Sequence, residues 1–340
     1  MKDKYNFKTS KKYLKKYKYT FWKRIWVILL FPIVYPLSWF VTLFFNAYLF
    51  KYDRKGLDKN GDEVNTFNHF LKDIKAKKLK NLEIDPNAIK AFEIQHKKNQ
   101  SISCVMLNNK TSKWVVALHG FKRNKYLGIR NAINLFKQGY NVVSFDAFAH
   151  GDTFGEYSDF GVTNSKLLNT VISWIKSNNK VEEIGVIGVS MGGGTAVYWA
   201  QQFYLTNKVD WLVSDCALTQ PVEQIRFFLK RYFKWFAWYF CSFNINGRFK
   251  KVSKTNLNDM NTQINLESIK DLPILFIHGK KDDFITYHNS IVTYYEQKKY
   301  SFNSLSELKL FENARHSESI VKHQDEYNEL INNFIKKVKK

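Results

Sequence analysis

A serine framed by glycines is the residue of this sequence best suited to nucleophilic chemistry. Residues 188–192 read GVSMG, a G-x-S-x-G motif centred on Ser190, between a strand-like run and a helix-like segment. A serine on a tight strand-to-helix turn can attack a carbonyl carbon, and the small flanking residues leave room for that turn. The backbone N–H of Met191, at the start of the helix, would then stabilise the developing oxyanion. The alternatives are a glycine-rich turn with a capping serine and a phosphate loop, but the Gly-Lys-Ser/Thr of a Walker loop is absent.

A serine hydroxyl needs a histidine to remove its proton, and in strand–turn–helix enzymes that histidine comes last in the chain. His316 lies in a short polar loop, residues 312–319, after the last strand-like run and before the final helix. We therefore predict that His316 is the general base. The other histidines after the serine are expected to pack or to lie on helix surfaces, and they are His278, His288 and His323.

The histidine in turn needs a carboxylate to fix its tautomer. Asp282 closely follows the apolar strand-like run 273–279 and has the spacing expected after His-Gly. Its neighbour Asp283 must point in another direction and is expected to brace the loop. Asp215, at the end of another strand-like run, is the reserve candidate. We predict Asp282 as the acid.

The sequence His119-Gly120-Phe121 ends the first of the apolar runs and supplies a second candidate donor. In this position the backbone N–H of Phe121 would bind the oxyanion together with that of Met191. The Phe121 side chain is then expected to line the acyl pocket, and His119 to support the loop.

Strands and helices alternate through the part of the chain that carries these residues. A polar turn joins two runs that predict a hairpin, 91–95 and 102–107. Beyond it, apolar β-branched runs alternate with helical segments near 125–138 and 164–178, a pattern typical of a mostly parallel sheet flanked by helices, the α/β class. Sites in such sheets form at the carboxyl ends of the strands. The predicted parallel strands are 114–120, 141–146, 183–190, 209–216, 273–279 and 308–311.

Six blocks in this order resemble bacterial α/β-hydrolases of the serine-aminopeptidase or lysophospholipase-like group, several of which carry an N-terminal membrane helix. They are HGF (119–121), FDAFAHGDTFGEY (145–157), GVSMGGG (188–194), SDC (214–216), HGKKDDF (278–284) and ARHS (314–317). The resemblance covers residues 90–335. It implies Ser190 as nucleophile, Asp282 as acid and His316 as base, with the amides of Phe121 and Met191 as oxyanion donors. The usual D-x-R-G-H-G lacks its arginine here, since residues 146–151 read DAFAHG.

The N-terminal fifth of the chain has a different composition. Residues 25–50 contain no formal charge, and this run is long enough for a transmembrane anchor. Residues 1–24 form a basic tail with ten Lys/Arg against one Asp. The positive-inside rule predicts a single-pass protein of the cell membrane with a cytoplasmic N-terminus and the hydrolase domain outside. A cleaved signal peptide and a buried core helix are the alternatives. Residues 51–88 are expected to form a connector with an amphipathic helix near 63–79, and residues 89–340 the hydrolase domain.

An insertion of residues 218–265 is expected to form a helical lid. Nine of the fourteen residues 227–240 are aromatic, with Lys/Arg between them. The segment is either a cap packed on the domain or a lid that dips into the bilayer surface, where aromatic and basic side chains are favourable. The predicted lid and substrate-binding residues are Phe228, Phe233, Trp235 and Trp238.

The net charge of +23 suggests nucleic acid, but part of the excess lies in the tail and no nucleic-acid-binding motif is present, so no such partner is expected. Three scattered cysteines predict neither a disulfide framework nor a metal site, and no cofactor is expected. The sequence favours hydrolysis of carboxylic esters with hydrophobic acyl groups, with membrane lipid as a partner. A serine aminopeptidase and a catalytically idle membrane-anchored scaffold are the alternatives.

Overall fold

The computed structural model describes residues 5–45, 50–51, 63–232, 238–301 and 304–339. Its centre is an eight-stranded sheet with the strand order β1-β2-β4-β3-β5-β6-β7-β8. Strands β3 to β8 run parallel, while β2 is antiparallel to both β1 and β4. The strands are β1 (Ile89–Lys97), β2 (Gln100–Leu107), β3 (Lys113–Leu118), β4 (Asn141–Phe145), β5 (Glu183–Val189), β6 (Trp211–Asp215), β7 (Ile274–Gly279) and β8 (Glu307–Phe311).

Helices connect these strands and cover both faces of the sheet. In chain order the described α-helices are α1 (Phe7–Lys15), α2 (Phe21–Phe45), α3 (Phe67–Ala76), α4 (Lys125–Ile129), α5 (Ile133–Lys137), α6 (Val162–Asn178), α7 (Met191–Phe203), α8 (Pro221–Tyr232), α9 (Trp238–Ser253), α10 (His288–Lys298), α11 (Ser319–Lys322) and α12 (Gln324–Val338).

The apolar strands are buried on both faces, as their near-continuous hydrophobic runs require. Alternate residues of one strand enter different cores: Val116 packs with α6 and α7, whereas Val115 packs with α3, α4 and α12. The predicted α/β sheet, mostly parallel with an antiparallel hairpin at one edge, is therefore confirmed. The predicted strand positions agree with the observed ones to within a few residues at each end.

Two predicted segments differ in detail from the structure. The single helix expected over 125–138 is divided into α4 and α5 by a 3-10 turn, Arg130–Ala132. The expected connector is in part a structural element of the domain, because Phe70 and Ile74 of α3 are buried in the core beneath the sheet.

The N-terminal segment is packed on the domain. Helix α2 begins four residues before the predicted span, and residues 46–49, at the end of that span, lie outside the described part of the chain. Among the described residues one stretch, Phe21–Leu43, is long and apolar enough to cross a membrane. The basic tail was expected to lie apart from the hydrolase domain. Instead α1 packs on α10, because its lysines leave an apolar stripe that includes Phe7 and Leu14 free to face the domain.

A helical insertion lies between β6 and β7, where the lid is expected, and consists of α8 and α9; its role as a lid stays a prediction. One helix was expected through 227–240, but residues 233–237 lie outside the described part of the chain, and with them Phe233 and Trp235. Trp238 begins α9, and its side chain is likewise not described. Phe228, on α8, is buried.

Close packing between β5 and β6 leads to a stability prediction. A Cβ atom on Gly185 would lie 2.2 Å from the ring of Trp211, which is fully buried and has no room to shift. We expect Gly185→Ala to lower the free energy of unfolding by about 1–3 kcal/mol, measured by urea or thermal denaturation. Gly247→Ala is the matched control, because a Cβ atom there meets nothing within 4 Å, and it should be neutral or stabilising by up to about 1 kcal/mol. Equal effects of the two substitutions would contradict this account.

Candidate active site

Ser190 occupies a strained turn between β5 and α7. Its backbone has φ 58° and ψ −116°, a conformation that costs a non-glycine residue about 1–3 kcal/mol and is typical of functional sites. The flanking glycines make the turn possible. A Cβ atom on Gly188 would lie 2.4 Å from the carbonyl oxygen of Gly192, and one on Gly192 would lie 2.6 Å from that of Leu118. The G-x-S-x-G spacing is thus a steric requirement of this turn.

His316 reaches Ser190 from the loop after β8. Its Nε2 lies 2.9 Å from Ser190 Oγ, and its Nδ1 lies 2.8 Å from Asp282 Oδ2. Because an ionised carboxylate only accepts hydrogen bonds, Nδ1 carries the proton and Nε2 accepts from the serine hydroxyl. The structure therefore brings the three predicted residues into one chain of hydrogen bonds, in the arrangement that a general base needs.

The Asp282 carboxylate accepts four hydrogen bonds. The backbone amides of Phe284 and Ile285 donate to Oδ1 at 2.9 and 2.8 Å, while the rings of His316 and His278 donate to Oδ2 at 2.8 and 3.1 Å. Burial by itself would raise the pKa of Asp282, but the two histidines lower that pKa well below its usual range. The carboxylate is consequently ionised and held in one orientation.

His278 is a site residue whose role the sequence did not reveal, since it was expected only to pack or turn at the end of β7. Its Nε2–H faces Asp282 Oδ2 and the carbonyl oxygen of Ile285, the latter at 2.8 Å. Its Nδ1 accepts from the Ser290 hydroxyl at 2.7 Å. The only signal in the sequence is the four-residue spacing between His278 and Asp282, which acquires meaning once the path of the loop is known.

The candidate oxyanion donors lie on either side of Ser190. Met191 is the first residue of α7, where helical amides have no acceptor in the preceding turn. Phe121 follows Gly120, and a Cβ atom on Gly120 would lie 3.3 Å from Ser190 Cβ. His119 fixes this loop, since its Nδ1–H donates to the Gly120 carbonyl oxygen and its Nε2 accepts from the amide of Ala147, at 2.7 and 2.9 Å.

The segment 146–151, which lacks the expected arginine, is contacted by a cationic side chain from another element. Lys125 of α4 is buried, and its Nζ lies 2.8 Å from both Asp146 Oδ2 and Asp152 Oδ2. A second histidine supports the same region: His150 Nε2 accepts from the amide of Lys122 at 3.2 Å. Together with His119 it joins the loop after β3 to the loop after β4, so the position of Phe121 depends on both.

An apolar cavity opens beside Ser190. Helix α8 supplies one wall, which includes the predicted residue Phe228, and the loop after β7 supplies another. Phe284 of that loop lies against both Phe228 and His316, with ring centroids 4.7 and 4.8 Å apart. The described lining residues are Phe121, Phe160, Ser190, Met191, Leu218, Pro221, Gln224, Ile225, Phe228, Phe284 and Ile285.

The remaining carboxylates at the strand ends have other partners. Asp215 is buried, which raises its pKa to about 6, and it accepts from the Ser319 hydroxyl at 3.3 Å. Asp283 forms an ion pair with Arg231 at the end of α8, with 2.9 Å between Oδ2 and Nη2. Asp283 thus braces its loop against the lid, as expected, and Asp282 alone of these three is hydrogen-bonded to His316.

One group of side chains in the described part of the chain has the spacing of a metal site. The ligand atoms of Cys216, Asp282 and His316 lie within 4.8 Å of one another. A metal needs a thiolate, but burial, followed by the neighbouring carboxylates, raises the pKa of Cys216 well above its usual value. Asp282 and His316 are also hydrogen-bonded to each other. The residues present therefore do not fit a metal ion.

Comparison with known proteins agrees with the fold described above. The family described as alpha/beta hydrolase fold matches residues 113–253. An esterase of Pyrococcus furiosus, Pf2001, superposes with a TM-score of 0.61 and 25% identity over 77% of this chain and 93% of that one. The chain has the α/β-hydrolase fold.

Two curated relatives are similar in sequence. Protein YqkD of Bacillus subtilis is 26% identical over 235 residues, 66% of this chain and 72% of that protein. Lysophosphatidylserine lipase ABHD12 of Xenopus tropicalis is 25% identical over 183 residues, so the chain matches under half of it, 44%. The similar proteins include an esterase and a lipase. The prediction of an α/β-hydrolase enzyme is confirmed at that level.

The contact between His278 and Asp282 predicts a positioning role. We expect His278→Leu to lower kcat roughly 10- to 100-fold with little change in KM, because Asp282 loses a donor that fixes its orientation and leucine offers none. His323→Leu is the matched control, as that ring stacks on Phe311, and it should leave kcat within about 2-fold of its original value. An unchanged kcat in His278→Leu, or a loss of activity that follows only from loss of folded protein, would contradict the positioning role.

Proposed function

We propose that the protein is a serine hydrolase that cleaves carboxylic esters through an acyl-enzyme. The supporting observation is the chain of hydrogen bonds from Ser190 through His316 to Asp282. In this mechanism His316 Nε2 removes the proton from Ser190 Oγ as the hydroxyl attacks the ester carbonyl, and the amides of Phe121 and Met191 stabilise the oxyanion. His316 then protonates the leaving alcohol and activates the water that releases the acid.

The acyl group is proposed to be hydrophobic. Apart from Ser190 and Gln224, the described side chains that line the cavity are apolar. Burial of each methylene of an acyl chain contributes about 0.8 kcal/mol, so such a cavity favours longer acyl chains over acetate. The lipase and esterase among the similar proteins support an ester or lipid substrate.

An aminopeptidase is the main alternative for the same triad. It would need an acidic subsite for the free amino group of the substrate, and the described lining of the cavity contains no Asp or Glu. A catalytically idle scaffold does not require an imidazole 2.9 Å from a strained serine, with the tautomer of that imidazole fixed by a buried carboxylate. Hydrolysis of carboxylic esters is therefore favoured over both alternatives.

We further propose that α2 holds the protein at a membrane, which would place the cavity near lipid substrates. The apolar stretch Phe21–Leu43 has the necessary length, and 17% of its most apolar part is buried, whereas a core helix would be mostly buried. The single-pass orientation expected from the flanking charges, with a cytoplasmic N-terminus, stays a prediction. The packing of the tail on the hydrolase domain argues against it.

Replacement of the nucleophile tests the mechanism. We expect Ser190→Ala to lower kcat for p-nitrophenyl esters roughly 10⁴- to 10⁶-fold and to abolish labelling by a fluorophosphonate, because only an activated serine reacts with this probe. Ser214→Ala is the matched control, a buried serine of the adjacent strand that donates to the Gly193 carbonyl oxygen, and it should label like the unaltered protein. Activity retained by Ser190→Ala would reject the mechanism.

Two neighbouring phenylalanines of α8 test the acyl cavity. Phe228 lines the cavity, whereas Phe227 packs against Tyr17, with ring centroids 5.4 Å apart. We expect Phe228→Ala to change the ratio of kcat/KM for octanoyl over acetyl esters roughly 10- to 100-fold, because this side chain sets the shape of the apolar wall. Phe227→Ala should leave the ratio within about 2-fold of its original value. Similar changes in both variants would remove the assignment of the acyl site.

A further inference from the structure

Helix α2 exposes its largest apolar side chains. Phe21, Trp22, Ile28, Ile33 and Phe40 are between 66% and 77% exposed, and they are distributed along the whole helix. An apolar surface of this extent is unfavourable in water and marks a site that binds lipid or protein.

The face of α2 that meets the domain includes two hydroxyl side chains of the helix. Ser38 and Thr42, one turn apart, are buried there, as is Val27, and Asn244 of α9 donates a hydrogen bond to Ser38 Oγ. Nearer its start, Phe31 packs edge-on against Phe243 of α9. A surface helix of a water-soluble protein turns its polar side chains toward solvent, whereas the outward face of α2 is mostly apolar. The outward face of α2 therefore suits an apolar surrounding.

The chain before α2 is attached to the hydrolase domain at several points. The Tyr5 hydroxyl donates to the carbonyl oxygen of Leu308 at 2.7 Å, and Lys11 forms an ion pair with Glu296 at 2.8 Å. Closer to the helix, Tyr19 hydrogen-bonds Ser242 of α9 at 2.6 Å. These contacts involve β8, α10 and α9.

The chain after α2 returns to the same domain. Phe50 is buried, and its carbonyl oxygen accepts from the amide of Ser158 at 2.8 Å. Its ring lies 4.5 Å from that of Phe249 on α9, centroid to centroid. The chain before α2 and the chain after it both contact the same domain. These contacts are incompatible with a span that separates the tail from the domain by the thickness of a bilayer, about 30 Å.

We propose that α2 does not cross the membrane but lies along the surface of one leaflet, with both of its ends on the side of the hydrolase domain. In an interfacial amphipathic helix one face is polar and lies in water. In α2 the corresponding face is covered by the hydrolase domain, and the exposed apolar side chains of the other face enter the acyl region of the leaflet. Because α2 packs on α9, α9 on α8, and α8 lines the cavity, the embedded helix is the outer layer of the lid. This proposal rests on the membrane attachment proposed above and specifies its geometry.

The charge around the helix favours lipid over a second protein copy. The tail of residues 1–24 carries ten Lys/Arg against one Asp, and a basic segment at the surface of an anionic membrane contributes about 1 kcal/mol per charge. Two such tails in a symmetric dimer would repel each other. Trp22 and Trp26 lie at the start of the helix and are exposed, as expected at a membrane interface.

Side-specific labelling of the full chain tests the topology. Single cysteines are introduced as Lys12→Cys on α1 and as Lys180→Cys, an 80% exposed residue just before β5. The three natural cysteines are buried and give little background. Spheroplasts and inside-out vesicles are treated with a membrane-impermeant maleimide. We expect both cysteines to react from the same side, with at least about 10-fold less labelling from the other.

Labelling of the two positions from opposite sides would overturn the proposal in favour of a single-pass protein. Recovery of the chain as a soluble oligomer, with none in carbonate-washed membranes, would overturn it in favour of a second copy on α2. Neither readout requires catalysis, so failure of ester hydrolysis in the same preparations is a separate result.

Cross-linking in the membrane provides an independent measurement. Lys11→Cys combined with Glu296→Cys places two thiols at the ion pair between α1 and α10. A short bis-maleimide should link them in intact membranes, and the link should persist in the Ser190→Ala background. Lys12→Cys with Glu296→Cys is the matched control, because Lys12 follows Lys11 on α1 and its side chain is exposed. Absence of a link with the first pair, while each cysteine reacts singly, would also overturn the docked arrangement.

Discussion

Four hydrogen bonds meet at the Asp282 carboxylate, and the geometry of the site depends on them. Two come from amides of the loop after β7 and two from histidine rings, so one carboxylate fixes the loop, His278 and His316 together. Burial opposes ionisation of this carboxyl and the histidines favour it, so Asp282 stays ionised and holds the imidazole in the tautomer that accepts from Ser190. The strained turn between β5 and α7 supplies a second constraint, because Ser190 has a strained backbone conformation that the flanking glycines make possible.

Much of the site could be predicted because it depends on local rules. The turn at Ser190 needs glycines two residues to either side, and steric exclusion of larger residues is visible in the sequence as a spacing. Asp282 and His316 follow strands whose carboxyl ends must meet at one edge of a parallel sheet. The contribution of His278 could not be predicted, because its donation to Asp282 depends on how a four-residue loop folds back on the strand.

The N-terminal segment illustrates the other limit of sequence reasoning. Its lysines and its apolar run indicated a tail and a span, and charge counting assigned the tail and the hydrolase domain to opposite sides of a membrane. The tail also carries apolar and aromatic side chains at helical spacing, including Phe7, Leu14 and Tyr17, and these pack on α10 and α8. Charge patterns describe the surroundings of a segment, whereas docking depends on the shape of a surface formed by distant elements. That surface does not exist until the sheet has folded.

The loop after β7 has two tasks that share the same residues. Phe284 and Ile285 donate their backbone amides to Asp282, and their side chains form a wall of the apolar cavity. Under the proposed function, substitutions that shift this loop while reshaping the wall also move the Asp282 carboxylate, so substrate range and catalytic rate are coupled here. Helix α8 forms the facing wall and supplies none of the four donors to Asp282 described above. Diversification of acyl preference among descendants of this chain is accordingly expected to accumulate on α8, with the loop after β7 constrained to change slowly.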